Sequence, residues 1–307
     1  MIGGLRWIVV GLAAAAALGA PATAWAQASV DRAAESDARR LRLETRRAPL
    51  PPEAPFLLSF NNGFTYNTNP DQKRHASGAD WHENPDLELD VQGEIAPALR
   101  LQGTIDVNTD RYLHTITADN DELMAQIKLV YKDGAPGAWS PYGGVRGTLD
   151  FSTTFSQQTS RFLDLFTGVN RKFDLDGGKP VTEKTVNGLT LDVRAGRQEV
   201  RLDGGSNWFV RLRGDIVHTF SDTLAVSVTP VAKFRYGDSD DGPGLQRDVL
   251  LIGTATLKWT PAWLNSRYLS HGEIDLAIQG TLNRSTNHEA QYEQLDTGPF
   301  LSCYWTF

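Results

Sequence analysis

From Phe56 to the last residue, apolar and polar positions alternate with a period of two. A β-strand points successive side chains to opposite faces, so this period predicts strands. Residues 87–95 place Leu87, Leu89, Val91, Gly93 and Ile95 on one face, and Glu88, Asp90, Gln92 and Glu94 on the other. Residues 99–107 set Leu99, Leu101, Gly103, Ile105 and Val107 against Arg100, Gln102, Thr104 and Asp106. Residues 208–220, 224–236 and 274–282 divide in the same way. About twelve such segments follow one another, near 56–66, 86–96, 98–110, 122–132, 142–156, 161–173, 188–198, 207–220, 224–236, 248–259, 272–283 and 298–307. Most have roughly 9–13 residues, the length with which a tilted strand crosses a bilayer.

A soluble sandwich buries its apolar face, whereas a membrane barrel turns it outward to lipid and keeps a polar interior. The polar face here mixes Arg, Lys, Asp and Glu on nearly every segment, which suits a wet interior better than a solvated outer sheet. The connections tend to alternate. Residues 97–98 and 221–223 are tight turns, while 67–86, 109–121, 237–248 and 284–297 are long and polar; 174–187 and 260–271 depart from this rule. Short periplasmic turns and long external loops are the outer-membrane habit. An even number of strands places both ends of the barrel in the periplasm. Tyr66, Tyr131, Trp208, Tyr236, Trp259 and Trp305 fall near segment ends on the apolar face, where aromatic girdles meet the lipid headgroups.

The two ends of the chain agree with this placement. Residues 1–26 carry Arg6, an apolar stretch from Trp7 to Ala20, Pro21 and the small-x-small run Ala24-Trp25-Ala26, the pattern of a cleaved secretory signal. Leu301, Cys303, Trp305 and Phe307 share one face of the last segment, and the chain ends on an aromatic. This resembles the terminal-strand signal of bacterial outer-membrane β-barrel proteins. The resemblance implies an all-β fold, a single antiparallel transmembrane barrel of about twelve strands over 56–307. It also implies an outer-membrane location, contact with the lipid bilayer, and recognition of the last strand by the barrel-assembly machinery. Cys303 reads as a small lipid-facing residue.

Between signal and barrel, residues 27–55 alternate Arg32, Arg39, Arg40, Arg42, Arg46 and Arg47 with Asp31, Glu35, Asp37 and Glu44. A short helix from Val30 to about Arg47 is expected, stopped by Pro49, Pro51, Pro52 and Pro55. It is either a charged periplasmic tether or a helix that docks into a lumen or onto a partner.

The inward side chains are sorted by sign. Arg194, Arg211, Arg213, Lys233, Arg235 and Lys258 form a basic wall; Glu88, Asp90, Glu94 and Asp106, with Glu273 and Asp275, form an acidic one. Such a transverse field resembles the constriction of general and sugar-specific porins, and implies a passive channel for small polar or charged solutes. The competing expectation is a structural or partner-binding barrel whose charges pair across and fill the lumen, since twelve strands lie between filled and open barrels.

A lipid-modifying enzyme is the third class. His218-Thr219-Phe220-Ser221 is not the His-x-Ser-Asn arrangement of phospholipase barrels, and an interfacial histidine is expected there. Asn108-Thr109-Asp110-Arg111-Tyr112 looks like a piece of the lipid A deacylase signature, but sits after the third strand and has Leu113 where the second Tyr belongs. A polar loop tip is the expectation. The six histidines show no zinc spacing, and residues 238–242 and 174–178 read as polar turns. No cofactor fingerprint is evident. The single cysteine excludes an intramolecular disulfide, and a net charge of −7 argues against nucleic-acid binding.

Overall fold

One antiparallel sheet closes on itself around a polar interior. The computed structural model describes residues 39–41, 44, 54–72, 74, 78–132, 137–176, 186–201, 206–238, 245–264, 269, 271–286 and 291–307. The signal 1–26 and most of the stretch 27–55 lie outside these, as do residues 239–242 and 177–178 of the two expected polar turns. Residues 39–41 and 44 are helical. The strands are β1 (Phe56–Asn67), β2 (Asp80–Glu83), β3 (Asp86–Ala96), β4 (Leu99–Tyr112), β5 (Asn120–Tyr131), β6 (Ser140–Phe151), β7 (Gln158–Asp174), β8 (Asn187–Arg201), β9 (Asn207–Ser221), β10 (Leu224–Asp238), β11 (Leu245–Trp259), β12 (His271–Ser285) and β13 (Tyr292–Thr306).

Consecutive strands pair except β2 with β3, and β1 closes the ring against β13 with a register running from Leu57↔Thr306 to Asn67↔Asp296. Both β2 and β3 lie between β1 and β4, and are two halves of one stave broken at Asn84-Pro85. Proline has no N–H for the ladder, so the pairing lapses there. The barrel therefore has twelve staves. Both termini of the strand array sit at one end, called here the terminal end; the opposite end is the distal one.

The outer face is apolar. Leu163, Leu165, Ile216, Val228, Phe234, Leu251, Leu276 and Ile278 are all exposed, Leu165 by 67% and Leu276 by 57%. An outward apolar band around a charged interior is the inverse of a soluble protein, and makes this a transmembrane β-barrel of the outer-membrane type. Tyr66, Tyr131, Trp208, Tyr236 and Trp259 are also exposed on this face, and Phe64 stacks on Trp81 at 5.0 Å beside Tyr66. Leu301 is exposed, and Cys303 and Trp305 are half-buried on the same outer face of β13, with Phe307 exposed beyond it.

Several expected loops are strand. β2 falls within 67–86, β4 continues to Tyr112, and β13 begins at Tyr292. Their outward positions mix the polar Glu83, Arg111 and Glu293 with Trp81 and Leu295, so the apolar face is interrupted there. The backbone ladders and the polar groups facing the interior carry the strands onward. Residues 152–156, read as part of the fifth segment, leave the sheet after Phe151. The short-and-long alternation of connections also gives way: distal loops span 5–12 residues and terminal-end connections 2–12.

Inside, aromatic rings lie over glycines of the neighbouring strand. Phe166 opposes Gly144 and Tyr142 opposes Gly168 on the β6–β7 ladder, and Phe209 opposes Gly196 on β8–β9. A Cβ on Gly196 would meet Phe209 Cζ at 2.8 Å, and one on Gly144 would meet Phe166 Cζ at 2.9 Å. These glycines are spaces that let large rings lie flat on the wall. Val130, Tyr142, Phe166 and Phe209 form one buried cluster.

Candidate functional site

The described part of the stretch 27–55 lies inside the barrel, not beside it in the periplasm. Its order along the axis follows from its partners. Arg39 reaches Asp110, near the distal end of β4, Glu122, near that of β5, and Asp150, near that of β6. Glu44 reaches Arg146, Arg211 and Arg213 at mid-height. Ala54 and Pro55 lie beside β3, where Gln92 donates to both of their carbonyls. The described residues thus run from Arg39 near the distal mouth, past Glu44 at mid-height, to Pro55 at the start of β1.

Its charges match the wall in order. Arg39 Nε lies 3.1 Å from Asp110, and its Nη1 is 4.0 Å from Glu122 and 3.9 Å from Asp150. Arg40 lies 3.8 Å from Glu122 and 3.6 Å from Asp164, with its guanidinium 5.0 Å above the Phe162 ring. Leu41 packs on Val231, Leu250 and Ile252, the inward apolar side chains of β10 and β11. Glu44 accepts from Arg146 at 3.0 Å and Arg211 at 2.6 Å, with Arg213 Nη1 at 3.7 Å. A space of about 10 Å³ remains beside Glu44 among Arg146, Arg194, Phe209, Arg211 and Lys233. That is at the threshold for one water, so there is little room beside Glu44.

The ion pairs join into one network. Asp164 accepts from Arg146 at 2.9 and 2.6 Å while facing Arg40. Arg211 also donates to Asp192 at 2.9 Å, and Asp192 accepts from Tyr142 at 2.5 Å. Arg194 lies 4.5 Å over Phe166 and donates to the Tyr142 hydroxyl. Glu44 therefore links β6 to β9 across two intervening strands. Buried charges are tolerable when paired and hydrogen-bonded in this way.

The residues singled out from sequence are distributed as follows. Arg194, Arg211, Arg213 and Lys233 surround Glu44. Arg235 stands apart and pairs with Asp248 at 2.8 Å. Lys258 pairs with Glu273 at 3.1 Å, with Asp275 at 3.9 Å. Glu88 and Asp106 are buried opposite each other on the β3–β4 ladder, and Asp90 accepts from Thr104. Glu94 is exposed beside the 97–98 turn and accepts from Ala98 N–H. The expectation of two opposed single-sign walls is corrected. Asp192, Asp215 and Asp248 interleave with the basic residues, and Glu273 and Asp275 face Lys258 on the neighbouring strand. Adjacent strands give Arg211, Arg235 and Lys258 counter-ions at short range, which opposite walls cannot provide.

Sequence reasoning missed Asp110, Glu122, Asp150, Asp164 and Arg146. All five are on the polar face of their strands, so extending the inward tally to the third through sixth segments would have found them. Asn108, Asp110 and Tyr112 are not at a loop tip but are buried facing inward on β4. Asp110 is held by Asn84 at 2.6 Å and His82 at 3.3 Å, and His82 stacks on Tyr112 at 4.6 Å. His218 is half-buried on the outer face near the terminal end, 2.5 Å from Asn187 and edge-on to Phe220. Asp174 accepts from Asp176 N–H, a local Asx turn.

No protein-family model matches the chain, and no curated protein is similar to it in sequence. Among solved structures, the translocator domain of autotransporter NalP from Neisseria meningitidis has a TM-score of 0.44 at 9% identity, over 90% of this chain and 97% of that one. An outer membrane channel from Pseudomonas putida F1 has 0.48 at 10% identity, over 84% and 97%. The KdgM porin has 0.38 at 10% identity, over 81% and 99%. The chain is similar to these outer-membrane barrels in outline only.

Proposed function

We propose that this protein is an outer-membrane channel for small polar or charged solutes, held closed by its own N-terminal segment. One observation carries the reading: Arg39, Arg40 and Glu44 lie in the lumen, each against wall groups of opposite sign. A barrel that needed only to be filled could use apolar side chains, whose packing matches or exceeds a buried ion pair in stability. Charged walls matched by a charged segment are instead suited to exchange, because the same walls remain solvated when the segment leaves. Lumen charges then set which solutes pass. The outer face of β13, with Leu301, Cys303, Trp305 and Phe307, is read as the surface that the barrel-assembly machinery recognises.

The test is current through a planar bilayer. The full chain is expected to be closed for most of the record. The full-length Arg39→Ser/Arg40→Ser/Glu44→Ser variant, which loses these ion pairs, is expected to give steady, ion-selective steps. Silence from that variant, when heat-modifiable gel mobility shows a folded barrel, would sink the channel reading. It would favour a filled barrel with a structural or partner-binding role.

A further inference from the structure

The distal mouth holds a cluster of inward carboxylates, and two of them, Glu122 and Asp150, have oxygens that no hydrogen bond reaches. Asp110, Glu122, Asp150 and Asp164 come from four successive strands, β4 to β7, and all face inward with side chains no more than 5% exposed. Neither oxygen of Glu122 receives a hydrogen bond, although its side chain is only 1% exposed. Oδ1 of Asp150 receives none either. What approaches these oxygens is the pair of guanidinium groups of Arg39 and Arg40, at 3.8–4.0 Å. Beneath Arg40 lies Phe162, a fully buried ring facing inward between Ser160 and Asp164. A planar cation over an aromatic face, ringed by carboxylates, is the arrangement that recognises guanidinium groups.

We propose that this cage, Asp110, Glu122, Asp150 and Asp164 over Phe162, is a binding site for small organic cations bearing a guanidinium group. Arg39 and Arg40 occupy it at rest and such a solute displaces them. The inference rests on the channel reading only for its biological use; binding itself requires no current. Asp110, Glu122 and Asp150 each lie within two residues of a strand's distal end, so a solute entering at that mouth meets the cage first. The cations that hold Glu44 at mid-height lie beyond it, and the binding step therefore precedes any passage.

The experiment is calorimetric titration of the refolded full-length protein with agmatine, a guanidinium compound without a carboxylate, and with glutamate as the anionic control. Agmatine is expected to bind the Arg39→Ser/Arg40→Ser variant at least tenfold more tightly than the unsubstituted chain. Adding Glu122→Gln and Asp150→Asn, which keep shape while removing charge, is expected to abolish that gain. Equal agmatine affinity with and without Glu122→Gln/Asp150→Asn would overturn the site. So would the absence of agmatine binding by folded Arg39→Ser/Arg40→Ser protein, or a preference of that variant for glutamate. The two readings fail separately: agmatine binding by a barrel that carries no current refutes the channel alone, and current without agmatine binding refutes the cation site alone.

Discussion

Glu44→Lys is expected to expel the lumen segment. Glu44 accepts from Arg146 and Arg211 and lies near Arg213. Lysine there adds a cation to a cluster that would have lost its central anion. Breaking a buried, hydrogen-bonded pair by changing one partner costs about 3–5 kcal/mol. At 1.4 kcal/mol per tenfold, that shifts docking by roughly two to three powers of ten. The substitution lies outside the sheet, so the strand ladders stay intact. Trypsin supplies the check: Arg39 and Arg40 should be cut slowly in the folded parent and quickly in Glu44→Lys. Arg211→Glu in the same chain restores an opposite-sign pair and is expected to return much of the protection. Unchanged cleavage in Glu44→Lys would mean that these ion pairs do not hold the segment.

Asp164→Ala is expected to weaken the barrel itself. Asp164 opposes Arg146 on the β6–β7 ladder and takes two hydrogen bonds from it, while also facing Arg40. Truncation leaves Arg146, whose side chain is 7% exposed, without its wall partner and removes one of the carboxylates facing Arg40. A loss of about 3–5 kcal/mol follows from the stranded charge. Urea unfolding in lipid vesicles reads it. Joint Asp164→Leu/Arg146→Leu substitution removes both charges and is expected to recover most of the stability, because apolar packing can replace a buried pair. If the single and double variants unfold alike, stranded charge is not the cause.

The barrel was legible because lipid enforces a period of two on the outer face over long stretches. Leu163, Leu165, Leu276 and Ile278 announce their strands for this reason. Where strands run beyond the apolar band, as at Arg111 or Glu293, that pressure ends and the sequence reads as loop. The site was harder to read. Alternation tells which side chains share the polar face, as Arg211, Arg213 and Lys233 do. It does not tell which neighbour neutralises them. Asp192 beside Arg211 and Asp248 beside Arg235 are matters of strand register, fixed by distant pairings. The lumen segment was harder still. Arg39, Arg40 and Glu44 gain meaning only from carboxylates and guanidinium groups between 71 and 169 positions further along the chain.

The descending order of charges along the lumen has an electrical consequence. Between Arg39 and Glu53 the sequence carries five arginines and two glutamates, a net of three positive charges. Each elementary charge moved through a full 100 mV drop exchanges about 2.3 kcal/mol with the field. A slide of one helical turn, about 5.4 Å, toward the terminal end carries Arg40 toward the guanidinium cluster that holds Glu44. A slide toward the distal mouth carries Glu44 toward Asp150 and Asp164. Voltage of one sign therefore presses the segment toward the terminal end and voltage of the other draws it toward the distal mouth, so the proposed channel is expected to respond to the sign of the potential.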